Sequence, residues 1–177
     1  MKRMTCGINY KDLYIGSIIN VHSRQLKLAE YGDIFTRNNF ESKAERTFAM
    51  IKPDCYTQTG KIIDAIYQNG FTISKLKMSK FTRPQLTDEF YQEHKGKPFF
   101  ADLSAFMQSD VVTGLELVNE NAIQGFRDLL GPTDSKSAPR NSLRGHFGTD
   151  GMRNAIHASA SASDYARESP MFFSKQF

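Results

Sequence analysis

Apolar and polar positions along the chain fall into short blocks that change period from one to the next. Residues 47–51, Thr-Phe-Ala-Met-Ile, form an apolar run of strand length that Lys52-Pro53-Asp54 stops. Ile62, Ile63, Ile66 and Tyr67 recur at helical spacing, and Asn69-Gly70 ends that helix. Positions 71–81 alternate, with Phe71, Ile73 and Lys75 set against Thr72, Ser74 and Leu76, which predicts a strand. Pro84 suits the first turn of a helix, and helical spacing carries it to about Glu93. The pattern then predicts a helix over 99–108, a strand over 111–118 and a helix over 122–130 closed by Gly131-Pro132. Residues 131–153 are rich in Gly, Pro, Ser and Asp and read as one long structureless loop. Residues 154–159 read as a last short strand, followed by a helix that Pro170 ends.

The N-terminal stretch has a different texture. Residues 10–36 read as short strands, in which Ile18, Asn20 and His22 alternate with Ile19, Val21 and Ser23, and Gly16 and Tyr31-Gly32-Asp33 supply turns. Two strands bury no core of their own. Residues 37–46 are polar and read as a linker. Strands alternating with helices, with a helix pair between the second and third, predict an α+β fold. Its core is a ferredoxin-like split-βαβ antiparallel sheet covered by helices, preceded by a short β-rich segment. A loop of some 20 residues inside such a domain is tolerated mainly where it does functional work.

Composition narrows the chemistry. The 177 residues, 40% hydrophobic and 24% charged, are those of a globular chain able to bury a core. No apolar run approaches the roughly 20 residues needed to cross a bilayer, and the N-terminus is polar. The expectation is a cytoplasmic protein with no membrane partner. Cys6 and Cys55 lack metal-ligand spacing, which points away from zinc and toward a reduced setting. A net charge of +4, spread along the chain, suits a small anion or an acidic protein surface and is too weak to argue for nucleic acid.

Of the histidines, His157 has the most permissive surroundings. It ends a predicted strand, small residues (Ala158-Ser-Ala-Ser161) follow it, and Glu168 lies eleven residues on, placed to fix its tautomer. Lys52 ends the first strand of the larger segment. Arg127 lies on the helix before the long loop, and Thr133 and Arg144 lie inside it. Two guanidiniums, a lysine and a hydroxyl are about what a polyphosphate requires. The chain has no GxxxxGK[ST] loop, so phosphate would bind without that motif.

These segments resemble the nucleoside diphosphate kinases over residues 46–169. Glu45-Arg-Thr-Phe-Ala-Met-Ile-Lys-Pro-Asp54 resembles the family's opening strand and lysine, and Lys97-Pro-Phe-Phe100 its Arg/Lys-Pro-Phe-Phe segment. Leu130-Gly-Pro-Thr133 and Leu143-Arg-Gly-His-Phe147 resemble the borders of its nucleotide loop, and Arg153-Asn-Ala-Ile-His157 its Asn-x-x-His signature. The resemblance implies that His157 accepts the phosphate and that Glu168 hydrogen-bonds its other ring nitrogen. It implies that Lys52, Tyr91, Arg127, Thr133, Arg144 and Asn154 hold phosphates or sugar hydroxyls, and that Phe99 stacks on the base. Nucleoside di- and triphosphates would be the ligands. Mg2+ would ride on their phosphates, with no protein metal site. The reaction implied is ping-pong transfer of a γ-phosphate through His157.

The chain departs from that pattern. The family's His-Gly-Ser-Asp-Ser is here His157-Ala-Ser-Ala-Ser161, and Gly151 stands where an apolar side chain usually covers the other face of the base. Lower efficiency is the expectation. The N-terminal stretch, through Asp12-Leu-Tyr-Ile-Gly16, Asn20-Val-His-Ser-Arg-Gln25 and Glu30-Tyr-Gly-Asp33, resembles the end of a small β-rich domain in a ciliary and flagellar branch of the same family. That resemblance implies a domain remnant over 1–36, a linker over 37–45 and a kinase-like domain over 46–177. It also implies a second role, as a structural protein of the axoneme that uses the kinase fold to bind tubulin inside doublet microtubules. A third reading is a nucleotide sensor that binds without transferring phosphate.

Overall fold

The computed structural model describes residues 7–9, 12–40, 45–81 and 89–174. The chain divides into two compact units, Met1–Glu45 and Arg46–Phe177. In the first, β1 (Ile18–Val21) and β2 (Arg24–Lys27) pair antiparallel with Val21 opposite Arg24. His22 and Ser23 are left as a two-residue turn at φ 49° and 65°. Two successive left-handed residues are what a type I′ hairpin turn demands. The ladder extends through Gly16 N–H to the Leu28 carbonyl at 2.7 Å and Leu28 N–H to the Ser17 carbonyl at 2.9 Å.

Beyond the hairpin, strand and linker give way to α1 (Ile34–Phe40). Asp33 starts it: Oδ1 accepts the Thr36 N–H at 2.6 Å and Oδ2 accepts the Thr36 hydroxyl at 3.0 Å. Asp33 therefore acts as a helix cap, where the sequence suggested only a turn. Two asparagines in a seven-residue helix had hidden it.

In the second unit the elements are β3 (Glu45–Ile51), α2 (Thr59–Gln68), β4 (Thr72–Lys80), α3 (Phe100–Gln108), β5 (Val111–Asn119), α4 (Ala122–Leu130), α5 (Leu143–Phe147), β6 (Ile156–Ala158) and α6 (Ala162–Ser174). The strands form one sheet in the order β4-β5-β3-β6, with both outer pairs antiparallel. This is the α+β, ferredoxin-like arrangement that the alternation of elements predicts.

The inner strands of the sheet are buried on both faces, and β3 shows how. Ala49 and Ile51 enter a core with Ile62, Ile66, Leu117 and Phe126, while Phe48 and Met50 enter another with Phe90, Met107 and Phe172. A strand covered on both sides reads as the continuous apolar run seen at 47–51. On β5 the pleat turns Gly114 toward α6 so closely that a Cβ there would lie 2.3 Å from the Phe172 ring. Only hydrogen fits beneath that ring.

Three further expectations are corrected. Pro170 does not end the last helix, which runs to Ser174. Proline removes one N–H and hinders one turn, but Phe172 is fully buried just beyond it and holds that turn in place. The stretch 131–153 is not structureless: α5 lies within it, its cap Ser142 accepting the Gly145 N–H at 3.2 Å. The last strand is three residues rather than six, because Ala155 adopts φ 66° and breaks the extension. Half of the helix predicted from Pro84 to Glu93, residues 84–88, lies outside the described residues. Glu89 and Phe90 are helical, and a 3-10 turn follows at Gln92–His94.

Candidate functional site

His157 sits on β6 opposite Met50 of β3. Its Nε2 meets Glu168 Oε2 at 3.0 Å, reaching across from α6. The same oxygen accepts the Ser159 hydroxyl at 2.7 Å, and Oε1 accepts a 3.1 Å bond from Arg167 Nη2. Glu168 is 2% exposed and His157 partly open, so the carboxylate is enclosed while the ring meets solvent. With Nε2 given to Glu168, Nδ1 carries the free lone pair. Phe48, Phe90 and Tyr91 hold the imidazole by ring contacts at 6.4, 5.2 and 5.7 Å between centroids.

The strand is set by a reciprocal clasp. The Lys52 N–H donates to the Ala155 carbonyl at 2.8 Å, and the Ala155 N–H donates to Asp54 Oδ2 at 3.0 Å. The Lys-Pro-Asp turn and the corner before His157 are thereby joined. A buried alanine at positive φ carries backbone strain, which such clasping sustains.

Lys52, Tyr91, Phe99, Arg127, Thr133, Arg144, Asn154, His157 and Glu168 all line one cavity of about 790 Å³. The structure therefore brings together every side chain the sequence singled out. Their donors are held by backbone carbonyls. Lys52 Nζ reaches the Met152 carbonyl at 3.1 Å, and Asn154 Nδ2 reaches those of Thr133 at 2.9 Å and Gly151 at 3.1 Å. Arg144 spans Gly131 and Ile156 from Nη1 and Nη2, each at 3.0 Å.

Such burial is costly for a cation. It pushes the Lys52 ammonium down to about 8. It also lowers Arg144 to about 10, helped by repulsion from Arg127. Burial raises Tyr91, and the charge of Glu168 adds to the effect. The Tyr91 hydroxyl and Asn154 Oδ1 are buried with no hydrogen-bond partner among the described residues. A cavity of crowded cations, an unspent hydroxyl and an oriented imidazole is built for an anion and for nucleophilic attack on it.

Sequence reasoning missed four neighbours. Asp54 forms the clasp; its position two residues after Lys52 in a turn was the available signal. His94 lines the cavity and stacks on Tyr91, at 6.0 Å and 15° between planes. Ser159 and Arg167 share Glu168, and only their nearness to His157 and Glu168 in sequence hinted at it. Ala158, a departure from the family pattern, sits in ordinary strand backbone opposite Ala49, so alanine is accommodated there. Phe99 lines the cavity at 44% exposure, its ring inclined 62° to that of His94 and with Lys97 Nζ 5.8 Å from its centroid.

The chain is similar to known proteins in sequence and fold. The family model "Nucleoside diphosphate kinase" matches residues 45–177. "Nucleoside diphosphate kinase homolog 7" of Rattus norvegicus is 41% identical over 169 residues, covering 94% of this chain and 42% of the relative. That alignment is too long to be contained in the second unit alone, and the chain spans less than half the relative's length. Nucleoside diphosphate kinase of Aquifex aeolicus is 44% identical over 135 residues, 94% of its length. Its crystal structure matches with a TM-score of 0.70, covering 73% of this chain and 95% of that one. The Halobacterium salinarum enzyme in complex with CDP matches at 0.70 with 32% identity, covering 74% and 88%. The chain belongs to the nucleoside diphosphate kinase family.

Proposed function

We propose that the protein transfers the terminal phosphate of a nucleoside triphosphate to a nucleoside diphosphate through a phosphohistidine at His157. One observation carries this reading: an imidazole tied through Nε2 to a buried carboxylate, at the wall of a cavity lined with cations. The Nδ1 lone pair attacks the γ-phosphorus, a P–N bond forms, the bridging P–O bond breaks, and the diphosphate departs with that oxygen. Glu168 stabilises the positive charge gathering on the ring and keeps the proton on Nε2. A β-phosphate oxygen of a second diphosphate then attacks phosphorus and restores the imidazole.

Lys52, Arg127 and Arg144 neutralise phosphate charge, Thr133 and Tyr91 donate hydrogen bonds to phosphate or ribose, and Asn154 Oδ1 accepts from a ribose hydroxyl. Phe99 offers the stacking face for the base. The cavity's cationic and hydroxyl donors suit phosphate oxygens, and among the described residues no group of three His, Cys, Asp or Glu forms a ligand set. Mg2+ would be held by the nucleotide, where it offsets charge between phosphates. The departures at Ala160 and Gly151 support a low-efficiency enzyme.

Incubation with terminally labelled ATP is expected to give an acid-labile, base-stable adduct that His157→Ala abolishes; no adduct on the intact protein overturns the reading.

A second reading is supported by the likeness to homolog 7 through the N-terminal unit, which displays Ile34 and Phe35 at 75% and 79% exposure. In it the protein is a structural component of ciliary axonemes that docks on tubulin. Co-sedimentation with doublet microtubules at low salt is expected, and its absence removes this reading.

A further inference from the structure

A second buried glutamate lies behind the site, on the strand α6 packs against. Glu116, in the middle of β5, is 1% exposed. It accepts five hydrogen bonds. Arg46 Nη1 and the Ser74 hydroxyl donate to Oε1, each at 2.8 Å. Lys75 Nζ at 2.9 Å, the Tyr165 hydroxyl at 2.9 Å and the Ser169 hydroxyl at 3.1 Å donate to Oε2. Leu115 and Leu117 on either side are apolar and fully buried. Burying a carboxylate and its cations costs desolvation that an apolar side chain avoids, so packing alone gives no reason for Glu116. What it gains is position.

Tyr165 and Ser169 lie on α6 three residues before Glu168 and one after it. With Phe172 they form a single stripe, at i, i+3, i+4 and i+7. The Phe172 ring resting on Gly114 sets how high the helix stands above the sheet. Two hydroxyls bound to one fixed oxygen set its rotation. A helix turned about its axis would carry the Glu168 carboxylate away from His157 Nε2, which it meets at 3.0 Å.

We infer that Glu116 is a positioning residue for the phosphotransfer site: by holding Tyr165 and Ser169 it fixes the rotation of α6 and so aims Glu168 at His157. The inference rests on the phosphohistidine reading for its consequence in rate. Its structural content, the tautomer of His157, is measurable without turnover. Removing a partner of this remote kind typically lowers activity about 10–100-fold.

The test compares Tyr165→Phe/Ser169→Ala, which removes both hydroxyls and keeps apolar bulk, with Tyr165→Phe/Ser169→Thr, which restores one. Nitrogen-15 NMR of His157 reads the tautomer, and single-turnover labelling with ATP reads the chemistry. In the parent protein His157 is expected to be protonated at Nε2 alone. In the double deletion the ring is expected to become a mixture of tautomers, with phosphorylation slowed about 10-fold and nucleotide affinity unchanged. The threonine variant is expected to regain the single tautomer and most of the rate. A circular-dichroism melt of each variant confirms the fold, and Glu116→Gln, which keeps shape and one acceptor oxygen, supplies an independent disturbance of the same contact. A His157 tautomer unchanged in folded Tyr165→Phe/Ser169→Ala overturns the inference. Absence of adduct in the parent protein overturns only the phosphotransfer reading, because the tautomer still reports on the helix.

Discussion

Two buried glutamates face each other's work across α6. Glu116 has its two oxygens saturated by five donors. Glu168 is as deeply enclosed, yet it stands beside unspent groups: the Tyr91 hydroxyl, Asn154 Oδ1 and the second nitrogen of His157. The first acid completes a structure, and the second leaves one to be completed by a ligand. Burial alone does not separate structural charge from functional charge. What separates them is whether the surrounding hydrogen bonds close.

That contrast is open to measurement, and the stability side should move furthest. Glu116→Ala leaves the Ser74, Tyr165 and Ser169 hydroxyls and the partly exposed Arg46 without their shared acceptor and is expected to cost about 3 kcal/mol, read from urea denaturation. The same group supplies a pH test. Burial would raise its pKa, but hydrogen bonds from Lys75, Ser74 and Tyr165 hold it down at about 2, against an ordinary 4.5. Folded-state depression means that the stabilisation is present above pH 4.5 and disappears as pH falls from there toward 2. About 3 kcal/mol is expected to vanish in that window, and Glu116→Gln should flatten that part of the curve.

The opposite acid should show the opposite signature. Glu168→Gln is expected to slow phosphorylation about 100-fold while shifting the melting temperature by only a few degrees, measured by single-turnover labelling and calorimetry. A large loss of stability with unaltered rate would erase the distinction.

Lys52 gives a smaller, pH-controlled effect. Its ammonium titrates near 8 when the cavity is empty, because burial disfavours the charge. A polyphosphate favours the charged form. Nucleotide affinity is therefore expected to fall by up to about tenfold per pH unit above 8, and binding at pH 9 to take up protons. Titration calorimetry in two buffers of different ionisation enthalpy reads the uptake. The smallest effect is expected at Gly151, where an added Cβ would meet open space at the cavity wall. Gly151→Val should tighten nucleotide binding about threefold by covering apolar base surface, checked by the same calorimetry.

How much of this was written in the residue order depends on range. The sheet was legible because β3 is apolar throughout and β4 alternates, and periodicity reports directly on which faces are covered. His157, Glu168 and the cations were legible because their motifs span few residues each and resemble a known family in order. Three kinds of feature were not. Asp33 and Ser142 act through local caps, which override weak helix propensity and make short helices where polarity suggests loop. Pro170 was read as a stop, but the packing of Phe172 outweighs a local rule. The Glu116 cluster joins residues 46, 74, 75, 116, 165 and 169 from four separate elements, and no window of sequence displays such a meeting.

The contact between Gly114 and the Phe172 ring has a consequence for how this domain can vary. The gap between sheet and helix there is one aromatic edge thick, so the ring works as a gauge block, with no slack below it. A side chain at 114 would have to displace the Phe172 ring and so disturb the seat of the helix that carries Glu168. Position 114 is thus constrained by a hydrocarbon ring that takes no part in the chemistry it calibrates.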